Sequence, residues 1–466
     1  MTGRGWRENV VVSTTDKYAA TLAHRIENLI IERGWPVGEL LGSEADLIER
    51  YDVSRGVLRE AIRLLEHKQV VRMKSGPGGG LIVAAPAASA VAENISNYFT
   101  LSSIDHEEVI EARRLLAADG LTLAAERLSE RGIERLRRAA ESPDPTELHQ
   151  SIGVLTRNPA LAILLDSLTL ATPVPSWKQH KTDKVRSCHR ALVDAITTGD
   201  LAVAHQLLRT LLDDEAAEVR DGGPEVTDAH HRTKKLPEQL AHRIANDIEE
   251  SGAQPGDVLG SEPEFLERYA VSRSVFRQAV RILEYSNLVH MRQGSGGGVT
   301  IGTGEPGRVI DGAVTFLDFM EIAPHHLSEA RRSLELSALK LTMGRIDDDA
   351  RDRLTNELKL EASVDRSQVH THGPDFHLLL AELSKNRPMI FFTRVLTRLQ
   401  TLRIGGRQRS DEERQHIGTS IVDAHVRLAQ AVLDGDEGLA RHRLRRHLDA
   451  MVENVAARRV VDPTNQ

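Results

Sequence analysis

Residues 41–66 read LGSEADLIERYDVSRGVLREAIRLLE, and residues 259–284 read LGSEPEFLERYAVSRSVFRQAVRILE. The repeat is longer than these stretches, because residues 22–83 align with residues 240–301 without an insertion or deletion, and 32 of the 62 aligned positions are identical. Each copy places a serine before a short helical pattern, which a tight turn joins to a second helical pattern. This is the layout of a DNA-reading helix-turn-helix. We therefore expect one chain to carry two DNA-binding heads.

The second helical pattern of each copy carries three arginines on one face. They stand at i, i+4 and i+8, with apolar residues on the opposite face. They are Arg55, Arg59 and Arg63 in the first copy and Arg273, Arg277 and Arg281 in the second. Guanidinium groups suit guanine's major-groove edge and phosphate oxygens, although they could instead be solvated charges paired with nearby glutamates. Their recurrence in two copies that differ at nearly half of their positions favours DNA contact.

A glycine-rich stretch follows in each copy, at residues 70–83 and 288–301. Two short strands joined by such a loop would form a wing whose backbone approaches DNA. The stretch does not fit a nucleotide phosphate loop, since no Lys-Ser/Thr pair and helix follow it. The predicted DNA-binding set adds helix-starting serines, a residue beside the first arginine and one wing glycine per head. These are Ser43, Ser54, Gly56, Gly79, Ser261, Ser272, Ser274 and Gly297.

The composition favours a multidomain helical protein. The chain has 466 residues, 40% of them hydrophobic and only 3% aromatic, which disfavours an aromatic-rich sheet protein. A net charge of −8 argues against coating DNA by bulk charge. The amino terminus has no secretory pattern and no apolar run is long enough for a membrane span, so we predict a cytoplasmic location. The lone Cys188 cannot form an internal disulfide.

The motifs 41–44, 53–55, 59–61 and the glycine wing resemble the winged helix-turn-helix signature of GntR-family transcriptional regulators. The second copy is similar throughout. The usual proline before the Ser-Glu pair is Gly42 here and Gly260 in the second copy, and the family's frequent arginine two positions after the serine is Ala45 or Pro263. These departures predict altered affinity or base preference.

The rest of the second unit contains Phe376-His377, then Asn386, then His425 before Val-Arg-Leu-Ala, and then His447 after Arg-Arg. This pattern resembles the FCD domain, the helical ligand-binding half of the FadR-type branch of that family. The resemblance implies one divalent metal, with zinc favoured, held by His377, His425 and His447. The family's aspartate position is Gly373, which Asp375 or His372 could replace. The resemblance also implies effector contact by Arg332 and Asn386, although a structural salt bridge is an equal reading of Arg332.

The first unit is predicted to be degenerate. His149, Asn158 and His189 align with His377, Asn386 and His425, but Leu211 stands at the last histidine and Pro145 at the aspartate position. Two histidines alone make a poor metal site. This half is expected to survive as a scaffold.

The predicted fold is mainly α, with two winged helix-turn-helix domains alternating with two all-helical FCD-like bundles, as a tandem duplication. The predicted boundaries are 17–86, 90–220, a linker at 221–235, 236–304 and 308–460. The predicted function is repression at a double-stranded operator with imperfect palindromic half-sites, controlled by a small carboxylate, and the chain could dimerise further. The alternative is an effector-independent repressor. A metalloenzyme is disfavoured because no motif supplies a general base.

Overall fold

The computed structural model describes residues 14–76, 78–172, 179–221, 236–292, 297–367, 369–405 and 410–456. Residues 222–235, nearly all of the predicted linker, lie outside the described residues. So do the side chains of His372 and Asp375, the candidate replacements for the missing aspartate.

The chain divides into two compact units, Met1–Ala88 and Ser89–Gln466. The first unit is one head. Its elements are α1 (Thr14–Glu32), β1 (Leu40–Gly42), α2 (Glu44–Tyr51), α3 (Arg55–His67), β2 (Val71–Lys74) and β3 (Gly80–Val83). The strands form an antiparallel sheet in the order β1-β3-β2, in which Lys74 lies opposite Gly80.

The second unit contains the first bundle, the second head and the second bundle. The first bundle consists of α4 (Ala88–Leu101), α5 (His106–Glu126), α6 (Glu130–Ala140), α7 (Thr146–Leu155), α8 (Pro159–Ala171), α9 (Gln179–Thr198) and α10 (Leu201–Asp221). The second head consists of α11 (Leu236–Ser251), β4 (Val258–Gly260), α12 (Glu262–Tyr269), α13 (Arg273–Tyr285), β5 (Val289–Arg292) and β6 (Gly298–Ile301). The second bundle consists of α14 (Gly307–Phe319), α15 (Pro324–Arg345), α16 (Asp348–Ser363), α17 (Val369–Leu383), α18 (Arg387–Gly405), α19 (Asp411–Leu433) and α20 (Glu437–Ala456).

The core of each head lies against the apolar face of its arginine-bearing helix, α3 or α13. In α3, Leu58, Ala61 and Leu65 are fully buried against α1, as their helical spacing requires. The turn between α2 and α3 is tight because Asp52 takes a left-handed conformation with φ 50°. Aspartate tolerates this conformation better than most residues do. The apolar face therefore fixes the arginine face outward.

The two helical bundles pack against each other through equivalent contacts. Asn158 Nδ2 donates to Glu329 Oε2 over 2.8 Å, and its counterpart Asn386 Nδ2 donates to Glu111 Oε2 over 3.0 Å. Arg127 also pairs with Glu329, and Arg345 pairs with Glu111. An aromatic cluster also joins the bundles, consisting of Tyr98, Phe99, Phe391 and Phe392.

The predicted fold class is confirmed. The described residues form twenty helices and two three-stranded sheets, with winged heads alternating with helical bundles along the chain. None of the helices in the described part of the chain is long and apolar enough to span a bilayer.

Candidate functional site

The leading arginines of each head share one carboxylate. Arg55 Nε and Arg59 Nε lie 3.5 and 2.9 Å from Glu44 Oε1. In the second head, Arg273 Nε and Arg277 Nε lie 3.0 and 3.3 Å from Glu262 Oε1. The four guanidinium side chains remain 61–70% exposed. In each head, the glutamate therefore aligns two arginines on the first turns of α3 or α13 and leaves both side chains accessible to a ligand.

The trailing arginines of the two heads differ. Arg63 is half-buried and its Nη1 lies 3.4 Å from Glu60 Oε2. Arg281 is exposed. The corresponding neighbour of Arg281 is Gln278, which carries no charge. The second head thus presents its third cation more openly than the first.

The predicted serines stand at helix starts. Ser43 Oγ accepts from Asp46 N over 3.2 Å, and Ser43 N donates to Asp46 Oδ2 over 2.8 Å. Ser54 Oγ and Ser272 Oγ accept from the third following backbone amide, each over 3.3 Å, and Ser261 N donates to Glu264 Oε2 over 2.6 Å. Such caps satisfy the free amides of the first helical turn. These serines therefore have a structural role whether or not they also contact DNA.

The remaining predicted DNA-binding positions lie on open surface or in the wings. Gly56 and Ser274 occupy the first turn of α3 and α13 and are exposed. In the first wing, a Cβ on Gly79 would lie only 2.2 Å from the Lys74 carbonyl oxygen, so this position requires glycine. Gly297 directly precedes β6, and Gly294 and Gly296 of the same wing lie outside the described residues.

Three histidines converge inside the second bundle. His447 Nε2 lies 3.2 Å from both His377 Nε2 and His425 Nε2. The three come from α17, α19 and α20 and are at most 6% exposed. Their nitrogens form a group compact enough to hold a metal ion. Family spacing in the sequence therefore identified residues that the fold brings together.

Buried carboxylates orient two of these imidazoles. His377 Nδ1 donates to Glu335 Oε2 and His425 Nδ1 donates to Glu361 Oε1, each over 2.7 Å. With the proton on Nδ1, each Nε2 offers a lone pair to the centre of the cluster. Burial lowers the pKa of His425 and His447 well below 6.5, so both are neutral at pH 7.

The cluster fits a tetrahedral metal. Ligand nitrogens about 2.0–2.1 Å from zinc lie roughly 3.3–3.4 Å apart at the corners of a tetrahedron, close to the observed 3.2 Å between Nε2 atoms. His425 and His447 are neutral and both turn a ring nitrogen toward the centre of the cluster, where a bound cation would accept their lone pairs. Phe376 stacks on His425 with ring centroids 4.1 Å apart and fixes that ring further.

An open cleft of about 430 Å³ reaches this cluster between α19 and α20. His447 belongs to both the cleft and the cluster. Arginines border the cleft together with apolar side chains, the cations being Arg427, Arg443 and Arg446.

The structure does not bring Arg332 or Asn386 to the histidines. Arg332 pairs with Asp449 and faces a different cleft, between the bundles. Asn386 is fully buried, and its Nδ2 donates to the first bundle's Glu108 carbonyl oxygen over 2.9 Å as well as to Glu111. The arginine next to the histidine cluster is Arg331, whose Nε donates to Glu335 Oε1 over 2.7 Å.

The first bundle holds a buried ion pair where the second has its cluster. Arg113 Nη1 donates to Glu215 Oε2 over 2.6 Å, and His149 Nε2 lies 3.3 Å from Glu215 Oε1. The ring of His189 lies edge-on to that of His149, with centroids 6.0 Å apart. The equivalent Arg331 of the second bundle also pairs with a buried glutamate, Glu335, so the two bundles differ in which helix supplies the carboxylate and in how many histidines surround it.

Sequence reasoning missed Arg331, Glu361 and Glu215. Arg331 could have been found, because it lies four residues before Glu335 on the same helix face, whereas Arg332 faces about 100° away. Glu215 lies one helical turn beyond Leu211, which replaces the third histidine. Glu361 is 64 residues from His425, and no local spacing connects the two.

Comparisons with known proteins agree with the repeat. Residues 18–80 and 236–299 match the bacterial regulatory proteins of the gntR family, and residues 108–214 and 326–450 match the FCD domain. Each domain type therefore occurs twice, as the duplicated sequence predicts.

Named regulators are among the similar proteins. The chain is 27% identical over 172 residues to the Exu regulon transcriptional regulator of Escherichia coli (strain K12), a match covering 34% of this chain and 64% of that protein. It thus spans somewhat less than two thirds of that relative. It is 28% identical over 219 residues to the HTH-type transcriptional repressor NanR of Cronobacter sakazakii, covering 42% of this chain and 83% of NanR. A solved Streptococcus agalactiae GntR is 24% identical, with a TM-score of 0.38, and the match covers 47% of this chain and 99% of that one.

Proposed function

This chain belongs to the gntR family of bacterial regulatory proteins, with two FCD domains, and we propose on that basis that it is a sequence-specific DNA-binding repressor of transcription. Its two heads would engage the two half-sites of one operator, as the heads of a dimer do. Fusion makes the second binding event intramolecular and so raises its effective concentration. Double-stranded DNA as a partner implies a cytoplasmic location.

The paired arginines carry this proposal. In both heads, one glutamate aligns two exposed guanidinium groups on the first turns of the helix that a helix-turn-helix inserts into the major groove. Guanine offers two acceptors on that edge, and a guanidinium can bind both. Arg55 and Arg273 are therefore assigned to base contact, with Arg59 and Arg277 beside them.

The heads would read different half-sites. Gly56 is replaced by Ser274 and Glu60 by Gln278 on the presented helix, so the second head adds a hydroxyl group and lacks one carboxylate. The operator is therefore proposed to be an imperfect palindrome.

Selection of bound sequences from random DNA tests this reading directly. The full chain should enrich two half-sites, and Arg55→Ala or Arg273→Ala should each abolish preference at one of them and weaken affinity roughly tenfold or more, since a bidentate base contact is worth ~1–3 kcal/mol. Arg137→Ala, an exposed arginine of α6, is the control. Failure of the full chain to enrich any sequence over heparin competitor would remove the proposal.

The second bundle is proposed to hold one zinc ion. His377, His425 and His447 would supply three nitrogen ligands, and a water molecule or a carboxylate oxygen would complete a tetrahedron. Bound zinc would act as a Lewis acid that attracts an anionic effector. Glu335 and Glu361 would hold two of the imidazoles with their lone pairs inward.

A small carboxylate is proposed as the effector at this site. The cleft between α19 and α20 leads to His447, and its arginines match a carboxylate in charge. The side chains of Arg427, Arg443 and Arg446 would orient the acid while apolar neighbours contact its carbon skeleton.

The second head is connected to the bundles by direct packing. Tyr285, the last residue of α13, is buried in the bundle core, and a Cβ on Gly312 of α14 would lie 2.2 Å from its hydroxyl oxygen. Arg308 Nη1 donates to the Glu284 carbonyl oxygen over 3.1 Å. A shift of the bundle helices would therefore also move α13, the helix proposed to contact DNA. An effector that binds one arrangement of the bundle more tightly than the other would then change operator affinity.

Metal content and operator affinity together test the effector site. Purified chain should contain about one zinc by mass spectrometry, His447→Ala should lose it, and His416→Ala, an exposed histidine of α19, should retain it. A panel of organic acids should change operator affinity in the parent chain and not in His447→Ala. Absence of metal and of any effector response would favour the effector-independent repressor.

A further inference from the structure

A second cleft, of about 550 Å³, lies between the two helical bundles. It is lined by α5 and α10 of the first bundle and by α15 and α20 of the second, and we name it the inter-bundle cleft. The cleft at His447 is lined by α19 and α20 instead. The volume lies within the usual range for small-molecule sites.

The inter-bundle cleft is basic. Six of its side chains are cationic and three are carboxylates. The cations are Arg114, Arg209, Arg332, Lys340, Arg441 and Arg445. All three carboxylates are engaged: Asp213 lies 2.6 Å from Arg114, Glu329 pairs with Arg127, and Asp119 accepts from Ser333 Oγ over 2.7 Å.

Several of these cations have no direct partner among the described residues, although the charges of Arg441 and Arg445 act on Asp119 from a longer distance and favour its ionised form. Within the part of the chain that the structure describes, Arg209, Lys340 and Arg445 form no hydrogen bond or ion pair. The Nε atoms of Arg114 and Arg332 are buried and have no acceptor. A buried donor without an acceptor is unfavourable, and an oxygen atom of a bound anion would satisfy it.

The cations occur as equivalent pairs from the two bundles. Arg114 and Arg332 are 218 residues apart, the offset of the sequence repeat. Arg209 and Arg445 are 236 apart, the offset that also relates His189 to His425. Each bundle thus contributes the same two arginines, and the cleft lies where the two halves face each other. A ligand that matches both sets needs an acidic group for each.

We propose that the inter-bundle cleft binds a small metabolite with at least two acidic groups, carboxylate or phosphate, one toward each bundle. Arg114 and Arg209 hold one group, and Arg332 and Arg445 hold the other. Leucines of the lining contact the carbon skeleton between them, including Leu115, Leu123 and Leu208. This site is separate from the histidine cluster and links the two halves of the chain.

Isothermal titration calorimetry with the full chain at low salt, without DNA, measures ligand binding and so tests the proposal. Citrate is the probe with carboxylate groups and fructose 1,6-bisphosphate is the probe with phosphate groups, so the two distinguish the kinds of acid. Acetate, which carries a single negative charge, is the control. At least one probe should bind once per chain, and acetate should not bind at the same concentrations. Because no operator is used, the result does not depend on the proposed regulatory function.

Two matched double variants locate the binding. Arg209→Gln/Arg445→Gln should weaken probe binding at least about tenfold through the loss of two charge-assisted contacts, and circular dichroism should show an unchanged melting temperature. Arg427→Gln/Arg446→Gln, which removes charge from the other cleft, should leave binding within about twofold. Binding by neither probe, or binding that only the second variant weakens, overturns the proposal.

Discussion

Replacing Glu215 by glutamine should destabilise the first helical bundle. Glu215 is the counter-charge of the buried Arg113, with 2.6 Å between Oε2 and Nη1, and its other oxygen lies 3.3 Å from His149 Nε2. Glutamine preserves the size of the side chain and removes its charge. The guanidinium group then remains inside the bundle without compensation.

The pKa of Glu215 sets the size of the effect. Burial would raise this pKa, but the charge of Arg113 and then the contact with His149 outweigh burial and lower it from 4.5 to about 2. The difference corresponds to about 3 kcal/mol of folding free energy, near the ~3–5 kcal/mol typical of removing one partner of a buried ion pair. Because the folded pKa is the lower one, the contribution is complete above pH 4.5 and is lost as the pH falls toward 2.

Urea unfolding of the full chain, followed by circular dichroism, measures this free energy. At pH 7, Glu215→Gln should lower the midpoint of the unfolding transition by roughly 1–2 M, and the gap to the parent should narrow below pH 4.5. Asp214→Asn is the matched control, since the adjacent exposed Asp214 lies 3.0 Å from Lys184 and such surface pairs are worth under ~1 kcal/mol. Arg113→Met/Glu215→Gln should recover most of the loss. A shift no larger than that of Asp214→Asn, or a double variant as unstable as the single one, would refute the reasoning.

Three further outcomes are expected. Burial, followed by the neighbouring His149, lowers the pKa of His189 from 6.5 to about 4. Because the unfolded chain takes up this proton at a higher pH than the folded chain, the free energy of unfolding should decrease by up to about 3 kcal/mol as the pH drops from 6.5 to 4. In urea midpoints measured over this pH range, His189→Gln should remove most of the decrease. Asn158→Ala and Asn386→Ala should lower the thermal midpoint by similar amounts, because each leaves buried partners unpaired at a cost of ~1–3 kcal/mol; a loss in only one variant would contradict equivalent roles. Arg277→Ala should reduce the slope of operator affinity against salt by about one, measured by fluorescence anisotropy.

The sequence was sufficient for the parts of the fold that depend on local periodicity. The burial of Leu58, Ala61 and Leu65 follows from helical spacing alone. The tight turn follows from its place in the repeat and not from residue type, since Asp52 and its counterpart Ala270 both take a left-handed conformation. Since the same pattern occurs twice, the second head was predicted with the first.

The second bundle was predicted only as far as family spacing extends. Spacing identified His377, His425 and His447, but the carboxylates that orient two of them come from other helices of the bundle. Glu335 is 42 residues from His377, and only packing of the bundle brings them together. Tertiary contacts of this kind have no periodic signal in one sequence.

The packing of the two bundles was not predicted, although its residues were noticed. Asn386 was assigned to an effector because it stood in the FCD pattern, whereas the structure buries it against Glu108 and Glu111 of the other bundle. Asn158 makes the equivalent contact in the opposite direction. Each asparagine lies nine residues after the aligned histidine, His149 or His377, and this equal spacing was a signal of a shared structural role.

The contacts between the two bundles are the same in both directions, whereas residues inside the bundles differ. The contacts that join the bundles occur in both directions, through Arg127 with Glu329 and Arg345 with Glu111. Inside the bundles, Leu211 stands where the second half has His447, and Ala117 stands where it has Glu335. In a dimer of identical chains, any substitution changes both interiors at once, so a histidine site could not be lost from one bundle and kept in the other. Fusion removes that constraint, and because the mutual contacts remain, the first bundle can carry Leu211 in place of the third histidine while its partner keeps the cluster of His377, His425 and His447.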